Sequence, residues 1–188
     1  MALAPVVFDA YGTLFDPAAL GEPLEAAFPG RGAALATAWR TAQLRHTWLR
    51  SLMGTYVDFD TITHEALGQV LRDAGVDLPA ALADALLGRY RSLPLYPDAR
   101  VALEGLEPER RVAILTNGRH GTVSATVAAA GLAARVPTVL SAEQVGVYKP
   151  APAVYALAGA HFGLPLAAIW FVSGNAWDCA GAGSAGLR

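Results

Sequence analysis

Residues 6–16 read VVFDAYGTLFD, and this stretch near the start of the chain decides how the rest is interpreted. Its first three residues are apolar and two are β-branched, which predicts a strand buried on both faces. The run stops at Asp9, and Gly12 then permits a turn. In open parallel sheets ligands bind beyond the carboxyl ends of the strands, so Asp9 stands where a carboxylate can act as a nucleophile. Taken alone, a turn-capping aspartate at the strand end is the competing interpretation.

The pattern Asp9-x-Tyr11-Gly12-Thr13 after an apolar strand resembles the first motif of the haloacid dehalogenase superfamily. The form with tyrosine two residues after the aspartate resembles the type II L-2-haloacid dehalogenases. Phosphatases of the superfamily carry a second aspartate at the place of Tyr11. The resemblance therefore implies dehalogenation rather than phosphate chemistry.

Composition limits the class of protein. A chain of 188 residues suits one domain, or one core with a smaller inserted unit. The net charge of −2, without a basic run, argues against a nucleic-acid surface. The single cysteine, Cys179, excludes an internal disulfide and suits the cytoplasm. No signal peptide is recognisable, and no apolar stretch approaches the ~20 residues that span a bilayer. We expect a soluble cytoplasmic protein without membrane partners.

The segment from Asp16 to about Tyr90 shows helical patterns and no convincing strand. Asp16 followed by proline predicts a helix start. Apolar spacing and glycine or proline boundaries predict three further helices, at Ala33–Met53, Thr61–Ala74 and Pro79–Tyr90. An all-helical block directly after a sheet strand is typical of an inserted cap. We therefore assign residues 16–92 to a helical cap, and residues 1–15 and 93–188 to the catalytic core.

From Pro97 onward, helices and strands alternate. The predicted strands are Arg111–Leu115, Val136–Leu140 and Ala168–Val172; the predicted helices are Pro97–Leu106, Thr122–Ala130 and Pro152–Phe162. Such alternation predicts an α/β fold whose Rossmann-like core is a parallel sheet with right-handed crossovers.

Two polar clusters follow predicted strands and should meet Asp9 in one crevice, because parallel strands end at the same edge of their sheet. Thr116 and Asn117 follow the second strand, and residues 173–178, SGNAWD, follow the last. Each could be only a capping turn. Residues 115–118 and the Ser173-x-Asn175-Ala176-Trp177-Asp178 segment both resemble motifs of the type II dehalogenases.

Lys149 lies between two apolar elements, with Pro150 after it and Tyr155 on the next helix. A lone lysine is usually a surface charge. The resemblance instead implies that its ammonium lies between Asp9 and Asp178, where a cation keeps both carboxylates ionised.

The resemblance also implies roles for residues of the cap. Arg40 matches the active-site arginine of the family. An arginine can form a bidentate pair with a substrate carboxylate or assist a departing halide. Arg45 and Arg50 are interpreted as surface charges, and periodicity alone would say the same of Arg40. Three residues match the family's apolar wall around the halogen: Leu44, Phe59 and Trp177. The competing interpretation is that they are ordinary core residues.

Two features depart from the family pattern. Gly174 stands where a serine is common, so one hydrogen-bond donor is expected to be absent. The chain also ends at Arg188, before the strand and helix that the resemblance places next. We therefore expect the C-terminal strand to be missing and residues 169–172 to form an unpaired sheet edge.

The resulting hypothesis is hydrolytic removal of halogen from small (S)-2-haloalkanoic acids. Asp9 attacks the carbon that bears the halogen, and water positioned by Asp178, with Ser173 and Asn175, then hydrolyses the ester. The resemblance assigns the holding of these groups to Thr13, Lys149 and Tyr155. It assigns the substrate carboxylate to the backbone amides of Ala10 and Tyr11 with Thr116 and Asn117.

This hypothesis needs neither a metal ion nor a cofactor, and the resemblance implies a homodimer. A phosphatase would require cations, usually Mg²⁺, and is disfavoured by Tyr11. A non-catalytic binding protein on the same fold is the third hypothesis, because fold alone does not determine function.

Overall fold

The computed structural model describes residues 3–188, and its centre is a four-stranded parallel sheet. The strands are β1 (Val6–Phe8), β2 (Val112–Thr116), β3 (Thr138–Ser141) and β4 (Trp170–Val172), in the order β3-β2-β1-β4. Val7 of β1 is opposite Ala113 of β2 and Phe171 of β4. All residues of β1 and β2 are buried, as their continuous apolar runs predict. The predicted α/β class is confirmed.

Within residues 3–188 the sheet is accompanied by eight α-helices. They are α1 (Gly21–Ala27), α2 (Gly32–Met53), α3 (Phe59–Asp73), α4 (Ala80–Gly88), α5 (Pro97–Glu104), α6 (His120–Ala129), α7 (Pro152–Phe162) and α8 (Ala176–Ala185). Asp16 does cap a helical turn, but that turn is the 3-10 helix Pro17–Leu20 leading into α1. In the described part of the chain, no helix combines the length and the apolar character needed to cross a bilayer.

Helices α1–α4 lie between two chain segments, residues 14–16 and 94–96, that run side by side. Phe15 forms an antiparallel bridge with Leu95. The amide of Asp16 donates to the carbonyl of Pro94, and that of Tyr96 donates to the carbonyl of Leu14, both at 2.9 Å. The helical block therefore enters and leaves the sheet region at one place.

A buried polar network holds α2 against α3. Trp39 Nε1 donates to the carbonyl of Thr63 at 2.9 Å, and Gln43 Nε2 donates to Thr63 Oγ1 at 2.8 Å. The Tyr90 hydroxyl donates to Gln43 Oε1. Because both ends of the buried Gln43 amide are paired, the network avoids the cost of an unsatisfied polar group.

Strand β4 is one of the two edge strands of the sheet, and the expectation that its edge is unpaired is wrong at two backbone groups. The amide of Phe171 donates to the carbonyl of Arg188 at 2.9 Å, and the amide of Arg188 donates to the carbonyl of Ile169 at 3.1 Å. The Arg188 guanidinium also lies 5.5 Å from the centre of the exposed Trp170 ring. Arg188 thus covers part of the β4 edge and leaves fewer backbone groups there unpaired.

Candidate active site

The Asp9 carboxylate lies just beyond the carboxyl end of β1 and is held by donors on both oxygens. Oδ1 accepts from Lys149 Nζ at 3.1 Å, and Oδ2 accepts from Thr13 Oγ1 at 3.1 Å and Asn175 Nδ2 at 2.8 Å. The Ser173 hydroxyl lies 3.5 Å from the same Oδ2. Charge-assisted bonds to several donors fix the orientation of the carboxylate.

Lys149 is the only lysine of the sequence, and its side chain is 1% exposed. Its ammonium lies 3.1 Å from Asp9 Oδ1 and 2.8 Å from Asp178 Oδ2, with the ring centre of Phe171 4.9 Å away. The backbone amide of Lys149 donates to Asn117 Oδ1 at 2.8 Å, next to the cis Lys149–Pro150 bond. The space between the two carboxylates is therefore filled by a cation that belongs to the protein.

Asp178 is fully buried near the start of α8. Oδ1 accepts from the Tyr155 hydroxyl at 2.6 Å, and Oδ2 accepts from Ser173 Oγ at 3.2 Å and from Lys149. Burial raises the pKa of Asp178 above its usual range, while the Lys149 ammonium opposes that shift and Asp9 adds to it. Burial and the Asp178 contact raise the pKa of Tyr155, so its hydroxyl stays a proton donor.

The turn after β4 packs against the turn after β1 without room for a side chain at position 174. The amide of Gly174 donates to Thr13 Oγ1 at 2.9 Å, and a Cβ on Gly174 would overlap the carbonyl oxygen of Gly12. The absence of a side-chain donor at Gly174 stays a prediction. The backbone amide of Gly174 orients Thr13, which donates to Asp9.

Gly174→Ser is expected to destabilise the protein by about 1–3 kcal/mol, because the two turns must separate to admit a side chain. It should also lower turnover, since Thr13 moves with its turn. Urea unfolding and initial rates measure both effects. Gly183→Ser on α8 is the control, because a Cβ there meets open space. Equal stability of the two variants would contradict this account.

Arg40 and the apolar side chains close a small cavity over Asp9. Arg40 Nη2 donates to the carbonyl of Tyr11 at 3.3 Å. The cavity, of about 10 Å³, has room for roughly one water, so a substrate must displace part of the wall. It is lined by Asp9, Tyr11, Arg40, Leu44, Phe59, Thr116, Asn117, Lys149 and Trp177.

Tyr11 contributes an aromatic ring to the wall of this cavity, and not a carboxylic acid. The ring stacks on Phe59 at 5.8 Å and meets Tyr90 edge-on at 5.4 Å. Within residues 3–188 its buried hydroxyl has no hydrogen-bond partner. Burial raises the pKa of this hydroxyl far above its usual range, so it is a poor proton donor to a leaving group.

Comparison with known proteins decides the family. The model of the haloacid dehalogenase-like hydrolases matches residues 6–186. The chain belongs to this family.

Two curated relatives of this haloacid dehalogenase-like hydrolase carry the name (S)-2-haloacid dehalogenase. The one from Xanthobacter autotrophicus is 42% identical over 97% of this chain and 72% of its own length. The one from Pseudomonas sp. strain YL is 42% identical over 94% of this chain and 77% of its own. The solved Xanthobacter L-2-haloacid dehalogenase with chloropropionic acid covalently bound has a TM-score of 0.92 and 39% identity, covering 98% of this chain and 75% of that one.

Most side chains predicted from sequence converge at the carboxyl ends of β1, β2 and β4 of this hydrolase. The binding of a substrate carboxylate by Thr116 and by the Ala10 amide stays a prediction, and three further contacts are observed. Thr116 Oγ1 accepts from the amide of Gly118 at 2.9 Å, which is the capping role left open for it. Ala10 is buried, and its carbonyl accepts from the amides of Leu14 and Phe15. Arg50 is not a simple surface charge, because its guanidinium pairs with both oxygens of Glu65 at 2.8 and 2.9 Å.

Sequence reasoning gave no role in the site to Trp48, which borders it from behind. Its ring meets that of Trp177 edge-on, with centres 5.6 Å apart. The available signal was helical spacing: Trp48 lies four residues after Leu44 and therefore on the same face of α2.

Proposed function

We propose that this hydrolase removes halide from small (S)-2-haloalkanoic acids and yields (R)-2-hydroxyalkanoic acids through an ester on Asp9. The observation that carries the proposal is the Asp9 carboxylate, held by Lys149 and facing a small cavity between Arg40 and an apolar wall. The names of the relatives and the covalent chloropropionic acid in one of them support the same chemistry.

In the first step an Asp9 oxygen attacks C2 of the substrate from the side opposite the halogen. The new C–O bond forms as the carbon–halogen bond breaks, and halide leaves with the bonding electrons. Halide departs without a proton, which agrees with a Tyr11 hydroxyl that cannot readily give one. The Arg40 guanidinium, on the cap side of the cavity, supplies positive charge for the substrate carboxylate or the departing halide.

In the second step water attacks Cγ of the Asp9 ester, and the bond between Cγ and the oxygen bound to C2 breaks. Asp178 takes one proton from the water and passes it to the departing alkoxide, which becomes the hydroxyl of the product, and the other proton of the water goes to solvent. Lys149 and Ser173 connect Asp178 to Asp9, so the base and the carbonyl under attack are neighbours. C2 is not touched in this step, and the inverted configuration persists.

The test is halide release from each enantiomer of 2-chloropropionate, with and without a chelator. We expect chloride from the (S) enantiomer alone, (R)-lactate as product, and no effect of EDTA. The absence of a metal requirement follows from Tyr11 at the place of the second aspartate and from the Lys149 ammonium between the carboxylates. Racemic lactate would contradict the inversion mechanism, and activity only with Mg²⁺ on a phosphate ester would favour the phosphatase hypothesis. No turnover of either substrate class would favour a binding protein.

Arg40→Lys is expected to lower kcat/KM for 2-chloropropionate by about 10- to 100-fold. Lysine keeps the charge but lacks the planar fork that binds two oxygens at once. Arg45→Lys is the matched control, five residues further along α2 and exposed. Steady-state kinetics of both variants provide the measurement. Small and equal effects would remove Arg40 from the substrate site.

We propose further that residues 16–92 act as a cap over the core formed by 1–15 and 93–188. The adjacent segments 14–16 and 94–96 support this division, because a block tethered at one place can move as a unit. The homodimeric state and the cytoplasmic location also remain proposals, testable by light scattering and by cell fractionation.

A further inference from the structure

A second and larger cavity lies behind the active-site wall. Its volume is about 400 Å³, and its lining includes Trp48, Leu52, Val147, Pro150, Ala151 and Trp177. Trp177 also lines the small cavity over Asp9. The indole of Trp177 is therefore shared by the reacting centre on one side and an apolar groove on the other.

The groove offers hydrocarbon contacts, and the hydroxyl groups of Ser51 and Tyr148 in its lining are already hydrogen-bonded within the protein. Ser51 Oγ accepts from the amide of Tyr148 at 3.1 Å and donates to the carbonyl of Thr47 at 2.8 Å. The Tyr148 hydroxyl donates to the carbonyl of Val57. A charged or strongly polar ligand would lose its water there without finding partners, whereas an alkyl chain would gain from burial.

The wall between the groove and the active site is formed by Trp48 and Trp177, and within residues 3–188 neither indole N–H makes a hydrogen bond that would hold it in place. Trp48 and Trp177 meet edge-on with ring centres 5.6 Å apart and an angle of 76° between planes. The Nε1 atom of each indole is buried. A buried N–H without a hydrogen-bond partner costs desolvation free energy. An indole rotation that exposes the N–H to water regains that free energy, which offsets part of the packing energy lost when the two rings separate.

The opposite side of the site is different. Beyond Arg40 lies a cavity of about 380 Å³ whose lining includes Asp16, Thr37 and Asn175. Its lining also includes apolar residues such as Ala33 and Ala36, so this surface is mixed, with a larger polar share than the groove behind Trp177. The two spaces next to the reacting centre thus differ in polarity, and the more apolar one is on the Trp177 side.

We propose that the groove behind Trp177 is the subsite for the alkyl chain of longer 2-haloalkanoic acids, reached when the Trp48–Trp177 pair moves apart. This rests on the proposed function, because it assumes a 2-haloacid on Asp9. The cavity over Asp9 holds only about one water, so even a 2-halopropionate displaces part of its wall, and each further carbon needs additional space. The groove is the adjoining space with matching chemistry.

The test compares (S)-2-bromopropionate with (S)-2-bromooctanoate in two matched variants. Ala151→Leu fills the groove, and Ala36→Leu makes the same change in the cavity beyond Arg40. Each buried methylene is worth about a four-fold change in kcat/KM. We expect Ala151→Leu to lower kcat/KM for the octanoate at least about ten-fold and for the propionate less than about two-fold. Ala36→Leu should leave the ratio of the two substrates unchanged.

Binding gives a readout that does not require turnover. Titration of Asp9→Asn protein with (S)-2-bromooctanoate should change indole fluorescence, and Ala151→Leu in that background should weaken binding about ten-fold. Leu52→Ser, at an 85% exposed rim position, provides a second variant with little risk to folding. Failure of the wild type to release bromide from the propionate would overturn the proposed function alone. Octanoate binding and turnover that ignore both groove variants would overturn the alkyl subsite, as would propionate turnover without octanoate binding.

Discussion

Asp9→Asn is expected to abolish halide release, with kcat lowered by about 10⁴-fold or more. An amide is a far weaker nucleophile than a carboxylate, and none of its neighbours can take over the attack. Thr13 and Asn175 are uncharged and weakly nucleophilic, and the Lys149 amine remains bound to Asp178. Initial-rate measurements of chloride release provide the test. Asp77→Asn, the same change at an exposed position, should turn over like the wild type.

The origin of the product oxygen distinguishes the ester route from direct attack by water. In a single turnover with enzyme in excess, in ¹⁸O-labelled water, the label should enter the Asp9 carboxylate and not the hydroxy acid. The reason is that the product leaves with the oxygen that Asp9 brought to C2. Peptide mass spectrometry locates the label. Label in the hydroxy acid after one turnover would show that water attacks C2 with Asp9 as base.

Lys149→Met is expected to destabilise the fold by about 3–5 kcal/mol and to abolish turnover. Methionine is close to lysine in shape but leaves Asp9 and Asp178 facing one another, 7% and 0% exposed, without the cation between them. Urea unfolding followed by circular dichroism measures the loss. Arg45→Met removes an exposed cation and should cost little.

The pH dependence of this loss identifies its cause. Burial already raises the pKa of Asp178, and removal of the ammonium should raise it further. A carboxyl whose folded pKa exceeds its unfolded pKa loses stability as the pH rises from the unfolded value through the folded one. The deficit of Lys149→Met should therefore be smaller near pH 5 than near pH 8. Asp178→Asn in the same chain should restore stability but not activity. A deficit independent of pH would indicate a packing defect instead.

The sequence predicted those parts of the fold that depend on local pattern. The apolar run before Asp9 is buried strand β1, and the runs before Thr116 and Ser173 are its neighbours β2 and β4. Proline and glycine boundaries placed α7 at Pro152–Phe162, where the structure has it. These features depend on adjacent residues, and pattern reasoning reads adjacent residues well.

Contacts between distant segments were harder to predict. The Glu65 partner of Arg50 lies 15 residues away on another helix, so nothing near Arg50 distinguishes it from the exposed Arg45. The close approach that requires Gly174 joins turns some 160 residues apart. Pairing of Arg188 with β4 likewise depends on the path of the chain after α8. Such features follow from assembly and not from local composition.

The burial of Lys149 has a consequence for chemical modification. No other ε-amine exists in this sequence, and this one is enclosed between two carboxylates. Reagents that acylate lysine need an accessible, uncharged amine, so the folded protein is shielded from them at this position. A molecule acquires an acyl group on Lys149 only while its active site is open. The rate of acylation therefore measures how often the active site opens. In the acylated molecules Lys149 can no longer bridge Asp9 and Asp178.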